Sequence, residues 1–162
     1  NQTTKEWNFT VNTGAAKVVY NTPDSIYVGG SYTLDIGGVK TSQIRSGHVD
    51  FQFDPTKVEN LELIPGDKLS PSQVSANIDG TTGKVRVTWK DIHTASLQDT
   101  DWIGQIRYDV KKNATGSSII SLTSGVVSFT DTGNTEFSFY GLPIESQIAT
   151  HYALSWNKDG IV

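Results

Sequence analysis

Gly47-His48-Val49-Asp50-Phe51-Gln52-Phe53 sets Val49, Phe51 and Phe53 on one side of an extended chain and His48, Asp50 and Gln52 on the other. Successive side chains of a strand point to opposite faces, so this period of two predicts a strand with one face in a core and one in water. The pattern returns at 84–89, where Val85, Val87 and Trp89 oppose Lys84, Arg86 and Thr88. It returns again at 103–110, where Ile106, Tyr108 and Val110 oppose Gln105, Arg107 and Asp109. Shorter β-rich runs lie at 17–20, 32–36, 60–64, 119–122, 126–129 and 136–140. Turn-forming residues punctuate them at Gly29-Gly30, Gly37-Gly38, Pro65-Gly66-Asp67, Asp79-Gly80, Asn113-Ala114-Thr115-Gly116 and Thr132-Gly133-Asn134. No stretch carries a helical stripe longer than about two turns, and 92–101 reads as a short helix or an irregular loop. About nine short strands at turn-punctuated spacing predict an all-β sandwich.

The 162 residues, 36% apolar and 19% charged, suit one soluble domain with a real core. The clearest pattern spans 17–144. Residues 1–16 form an N-terminal extension or an extra strand, and 145–162 a C-terminal extension of unknown role. Thirteen Lys and Arg against seventeen Asp and Glu leave a net charge of −4, which argues against nucleic acid and anionic membrane surfaces as partners. Without cysteine, thiol catalysis, Cys-ligated zinc and disulfides are all excluded. No apolar run reaches the roughly 18 residues that span a bilayer, so no membrane insertion is expected. Asn at position 1 and the absence of Met make the chain an expected piece of a longer precursor.

Chemistry is sparse. His48, His93 and His151 lack metal-ligand spacing, and His48 falls on the polar face of its strand as a surface contact residue. No Gly-x-Ser-x-Gly elbow supports a nucleophilic serine. Asp54-Pro55 ends a strand, and Asp99 and Asp101 occupy a loop where Asp favours turns. That Asp-x-Asp lacks the further oxygen ligands of a calcium loop. No catalytic or metal site is therefore assigned. A sugar-binding platform would need a planar row of exposed aromatics. Trp89 is in phase with the core, Trp102 opens a strand and could lie either way, and Trp7 and Trp156 are the best exposed candidates.

The run from Gly47 through Asp54-Pro55 and Val58 to Leu61, followed by Pro65-Gly66-Asp67, resembles the third and fourth strands of bacterial cohesin domains. There an aromatic-rich strand ends in Tyr/Phe-Asp-Pro, a Val or Leu follows, and a Pro-Gly turn comes next. Gly83-Lys84-Val85-Arg86-Val87-Thr88-Trp89-Lys90-Asp91 is similar to the family's Gly-x-Ile/Val-x-Phe-x-Phe-Ala-Asp strand, with Trp-Lys where Phe-Ala is common. Residues 103–114 resemble its Leu/Phe-Ala-x-Ile-x-Phe-x-Val-Lys strand and turn, and 118–131 its Ile-x-Leu-x-x-Gly-x-Phe-x-Asp stretch. The likeness covers roughly 17–142.

The resemblance implies a nine-stranded jelly-roll sandwich that docks a dockerin, a small calcium-loaded helical module, in a secreted or cell-surface polysaccharide-degrading complex. It implies no cofactor in this chain, the calcium belonging to the partner. The family's contact surface is one flat sheet face built from its strands three, five, six and eight. Carried over by position, that face holds His48, Asp50 and Gln52, then Lys84, Arg86 and Thr88, then Gln105, Arg107 and Asp109, and finally Val126 and Ser128. Where many cohesins have a hydrogen-bonding Asp, this chain has His48. Arg86 and Arg107 are the expected anchors, because a guanidinium offers a planar fork to carboxylates or helix carbonyls. The alternative function is a carbohydrate-binding module with polysaccharide as ligand. A glycoside hydrolase comes third and requires two facing carboxylates in a cleft.

Overall fold

The computed structural model describes residues 4–10, 16–130, 133–138 and 143–150, with side chains described for 16–130 and 145–150. Twelve strands occur among the described residues, in two sheets. The strands are β1 (Thr4–Thr10), β2 (Lys17–Pro23), β3 (Ser25–Tyr27), β4 (Ser31–Val39), β5 (Ile44–Gln52) and β6 (Val58–Pro65). They continue with β7 (Val74–Asp79), β8 (Lys84–Trp89), β9 (Gly104–Val110), β10 (Ser117–Phe129), β11 (Gly133–Ser138) and β12 (Pro143–Ala149). The first sheet runs β1-β2-β4-β9-β6 and the second β3-β12-β10-β5-β8-β7, with β11 also paired to β10. All pairs are antiparallel except β12 with β3. The molecule is an all-β sandwich, as the alternation predicts, with the jelly-roll topology that the resemblance implies. Among the described residues no helix is long and apolar enough to cross a membrane.

The inward halves of the alternating strands meet between the sheets. Val18, Tyr20, Leu34, Ile36, Ile106 and Tyr108 come from the first sheet, and Val49, Phe51, Val85, Val87, Trp89, Leu122 and Val127 from the second, all buried. Aromatic rings bridge the layers. Tyr20 meets Phe51 edge-on at 5.4 Å between centroids, and Phe53 meets Tyr108 at 5.8 Å. Each such pair contributes about 0.5–1.5 kcal/mol beyond the area it buries. The Tyr108 hydroxyl is not left bare, because it hydrogen-bonds the Thr22 hydroxyl at 2.9 Å. Burial pushes its pKa up to about 12, with the Thr22 bond opposing the rise.

Several expectations need correction. Val74–Asp79 is a strand that the sequence reading passed over, although Val74, Ala76 and Ile78 alternate with Ser75, Asn77 and Asp79. The runs at 119–122 and 126–129 are one strand of 13 residues. A register shift between Leu122 and Ser124 accommodates its extra residue. Gly37-Gly38 is no turn but lies inside β4. These glycines are there for close approach: a Cβ on Gly37 would stand 3.1 Å from the Trp102 ring, and one on Gly38 2.8 Å from both Ile44 and Thr41. The 92–101 loop carries one 3-10 turn, Ile92–Ala95. At the ends, β1 pairs along β2 from Thr4 opposite Pro23 to Thr10 opposite Lys17. The expected boundary at 144 falls inside β12, where Ile144 pairs with Ile120 and the Ser146 hydroxyl donates to the Pro23 carbonyl at 2.6 Å.

Gly47 sits in β5 between Trp89 of β8 and Val127 of β10. A Cβ there would fall 2.3 Å from the Val126 carbonyl oxygen and 3.0 Å from the Trp89 ring. The nearer atom is backbone of the neighbouring strand, so relief requires the strands to part. Gly47→Ala is therefore expected to lower stability by roughly 1–3 kcal/mol. Gly80→Ala, at a position with nothing within 4 Å of the added carbon, should fall within about 0.5 kcal/mol of the parent. Urea denaturation midpoints measure both.

Candidate functional site

The outer face of the second sheet is laid out by cross-strand register. One row reads Ser75, Thr88, His48 and Val126 across β7, β8, β5 and β10; the next reads Asn77, Arg86, Asp50 and Ser124; a third reads Asp79, Lys84, Gln52 and Ser121. Directly opposed residues share a face, so the polar halves of four strands form one surface. Eight residues expected in the contact surface, His48, Asp50, Gln52, Lys84, Arg86, Thr88, Val126 and Ser128, do lie on these strands. Ser128 is a correction as a contact residue: it is 5% exposed, and its hydroxyl accepts from the Arg45 guanidinium at 3.2 and 3.3 Å. Arg45 is the extra residue at the register shift at the start of β5, and its guanidinium reaches Ser128 near the end of β10.

Gln105, Arg107 and Asp109 are the larger correction. They stand on β9, in the first sheet between β4 and β6, and so on the opposite outer surface of the sandwich. Missing β7 caused the error. The contact strands are carried over by number, and without Val74–Asp79 the run at 103–110 counts as sixth instead of seventh and so enters a face to which it does not belong. These residues belong to their own network. Gln105 donates to Asp35 at 2.8 Å, and Arg107 donates to the Ser31 hydroxyl at 3.0 Å and lies 3.4 Å from Asp109. Ser31 and Asn60 donate to the two Asp109 oxygens at 2.5 and 2.9 Å, holding its carboxyl below the usual carboxylate range.

The second-sheet face is organised around Asp50. Arg86 donates to it twice, from Nε to Oδ1 at 2.7 Å and from Nη2 to Oδ2 at 2.9 Å, and Ser124 Oγ adds a bond to Oδ2 at 2.8 Å. The Arg86 bond is the main cause of an Asp50 pKa below the ordinary value, with partial burial opposing it, and the same pairing raises Arg86. Gln52 spends its amide protons on the Phe53 and Thr82 carbonyls at 2.7 and 2.6 Å, pinning the turn between β7 and β8. In that turn Asp79 Oδ1 accepts the Thr81 and Thr82 amides at 2.9 and 3.2 Å, which lowers its pKa. An open depression of about 660 Å³ lies among Asp50, Gln52, Asn77, Asp79, Lys84 and Arg86. Its two carboxyl groups both favour the ionised form, so neither is tuned to act as a general acid near neutral pH. The sequence reading missed the β7 side chains and Ser124; the alternation in 74–79 was the available signal for the former.

The remaining sequence candidates fall elsewhere. Among the described residues no group of three or more His, Asp or Glu could hold a metal. Trp89 is buried, as its phase predicts, while Trp102 is 39% exposed and is the only strongly exposed aromatic ring among the described side chains. Trp7 lies on β1, whose side chains are outside the described set, and Trp156 and His151 lie outside the described residues altogether.

Asp50 titrates with a sign that can be worked out. Its folded pKa is below the unfolded one, so its contribution to stability is complete above the unfolded value near 4 and is lost as pH falls through the folded value. Asp50→Asn should destabilise the chain at pH 7 and have a much smaller effect at pH 2. Denaturant midpoints of both proteins at the two pH values check this.

The model of the Cohesin domain family matches residues 16–139. No curated protein sequence is significantly similar to the chain. Among solved structures, it is similar to the seventh ScaB type I cohesin of Pseudobacteroides cellulosolvens, at 22% identity and a TM-score of 0.58, covering 82% of this chain and 92% of that one. The cohesin module of a Clostridium perfringens family 33 glycoside hydrolase gives 17% identity and 0.62, covering 84% and 98%. A type I cohesin–dockerin complex from Clostridium thermocellum gives 16% and 0.64, covering 84% and 100%. At these identities the structural likeness concerns the fold, and the family match spans most of the sequence independently of it. The chain belongs to the cohesin domain family.

Proposed function

We propose that this chain is a non-catalytic docking module for a dockerin-bearing protein, with the outer face of β7, β8, β5 and β10 as its contact surface. One observation carries the reading. In a member of the cohesin family, a row of ordered charge and hydrogen bonding on the second sheet is centred on a middle strand and bordered by an open depression. Flat faces of this kind suit protein docking, where complementary charge orients the partner and a few central contacts carry most of the affinity. The calcium of the assembly belongs to the dockerin, and the setting is an extracellular or cell-surface polysaccharide-degrading complex. The solved Clostridium thermocellum relative is itself a cohesin–dockerin complex, which supports the same partner class for this chain. A polysaccharide platform has less behind it, because Trp102 is the only strongly exposed aromatic ring among the described side chains.

Calorimetric titration against a panel of calcium-loaded dockerins tests the reading. Binding by at least one dockerin is expected, abolished by EDTA and restored by calcium, while the melting temperature of this chain alone stays unchanged by the chelator. Failure of every dockerin to bind, or binding indifferent to EDTA, contradicts it.

A further inference from the structure

The guanidinium of Arg86 has five N–H donors in one plane. Two are committed to Asp50, the Nε proton to Oδ1 and one Nη2 proton to Oδ2, so one edge of the fork is closed. Ser124 holds the same carboxylate from the β10 side. Both Nη1 protons and the second Nη2 proton have no acceptor among the described residues, although the side chain is 54% exposed. The open edge therefore presents two parallel donors whose orientation is set by a neighbour rather than by solvent. Two positions before it on the same face of β8, the exposed Lys84 ammonium has no hydrogen-bond partner among the described residues. Asp79, opposite Lys84, turns Oδ1 into the turn amides. Asp50, Asp79, Arg86 and Lys84 balance in charge, with Lys84 and the open edge of Arg86 as the cationic side of the depression.

We infer that the docking partner inserts an Asp or Glu carboxylate against the Nη1–Nη2 edge of Arg86, beside Lys84, so that Arg86 bridges Asp50 and the partner's acid. This rests on the docking reading above and names the chemistry of its contact. Two coplanar oxygens match the two parallel donors, which a single carbonyl does not, and a charge-assisted fork of this kind is stronger to a carboxylate than to a neutral acceptor. Asp50 acts here as a positioning residue: by holding the Nε edge it removes the freedom a long side chain would otherwise lose on docking.

Two arms test the inference separately from the reading on which it rests. For any dockerin that binds the parent chain, Arg86→Lys keeps the charge but loses the fork, and affinity should fall roughly tenfold or more. Lys84→Gln should weaken binding less and flatten its salt dependence. Unchanged affinity of Arg86→Lys overturns the inference and leaves the dockerin reading standing. The second arm needs no dockerin. The Nε–Hε resonance of Arg86 in the 15N-labelled chain is followed while an acetylated helical peptide bearing one Glu, or its Gln counterpart, is added at millimolar concentration. A shift with the Glu peptide alone supports the contact; no shift, or equal shifts with both, overturns it even if no dockerin binds.

Discussion

The register of β5 is the constraint on which both the core and the docking face depend. Val49 and Phe51 are buried from its inner side, and Phe51 meets Tyr20 across the sandwich, while Phe53 just beyond the strand meets Tyr108. Burying one such side chain stabilises the fold by about 1.5–3 kcal/mol. Sliding β5 by a single residue would exchange this set for His48, Asp50 and Gln52. A charged and an amide group would then sit in the core and two rings in water. The same register sets Asp50 opposite Arg86 on one side and Ser124 on the other. Packing inside the sandwich thus determines which charges meet outside it.

That coupling explains why the face can be ordered without being buried. Exposed ion pairs usually contribute little, because two long side chains must be held in place. Here the pair is bidentate, the carboxylate is only 22% exposed, and a third strand supplies the Ser124 bond. Gln52 uses its amide to secure the adjoining turn, so the rim of the depression is fixed by side chain as well as backbone. The opposite surface has a comparable network around Asp109, built from β4, β6 and β9. Two polar faces separated by a buried apolar core cannot act as one contact surface.

Much of this was legible in the sequence, and the failures have definite physical origins. Strong alternation at 47–53, 84–89 and 103–110 predicts each strand and the phase of each side chain, down to the burial of Trp89. Phase says which residues share a face of a strand; it is silent on which sheet the strand joins. Carrying a contact face over from a family depends on the strand count, and the short edge strand β7, with only Ala76 and Ile78 half-buried beside Val74, gives a weak signal. Its omission carried Gln105, Arg107 and Asp109 to the wrong surface. The Thr123-Ser124-Gly125 interruption divides the apolar pattern of β10 into two runs, yet pairing with β5 continues on both sides of it. The burial of Ser128 under Arg45 depends on a register shift, which no local pattern announces.

The most direct test of the account is a footprint of the bound partner by amide hydrogen exchange, read on both outer faces at once. With a dockerin that binds, protection should rise along β5, β8 and the Ser124 end of β10, and remain unchanged at Gln105, Arg107 and Asp109. Protection gained instead on β4, β9 and β6 would contradict it.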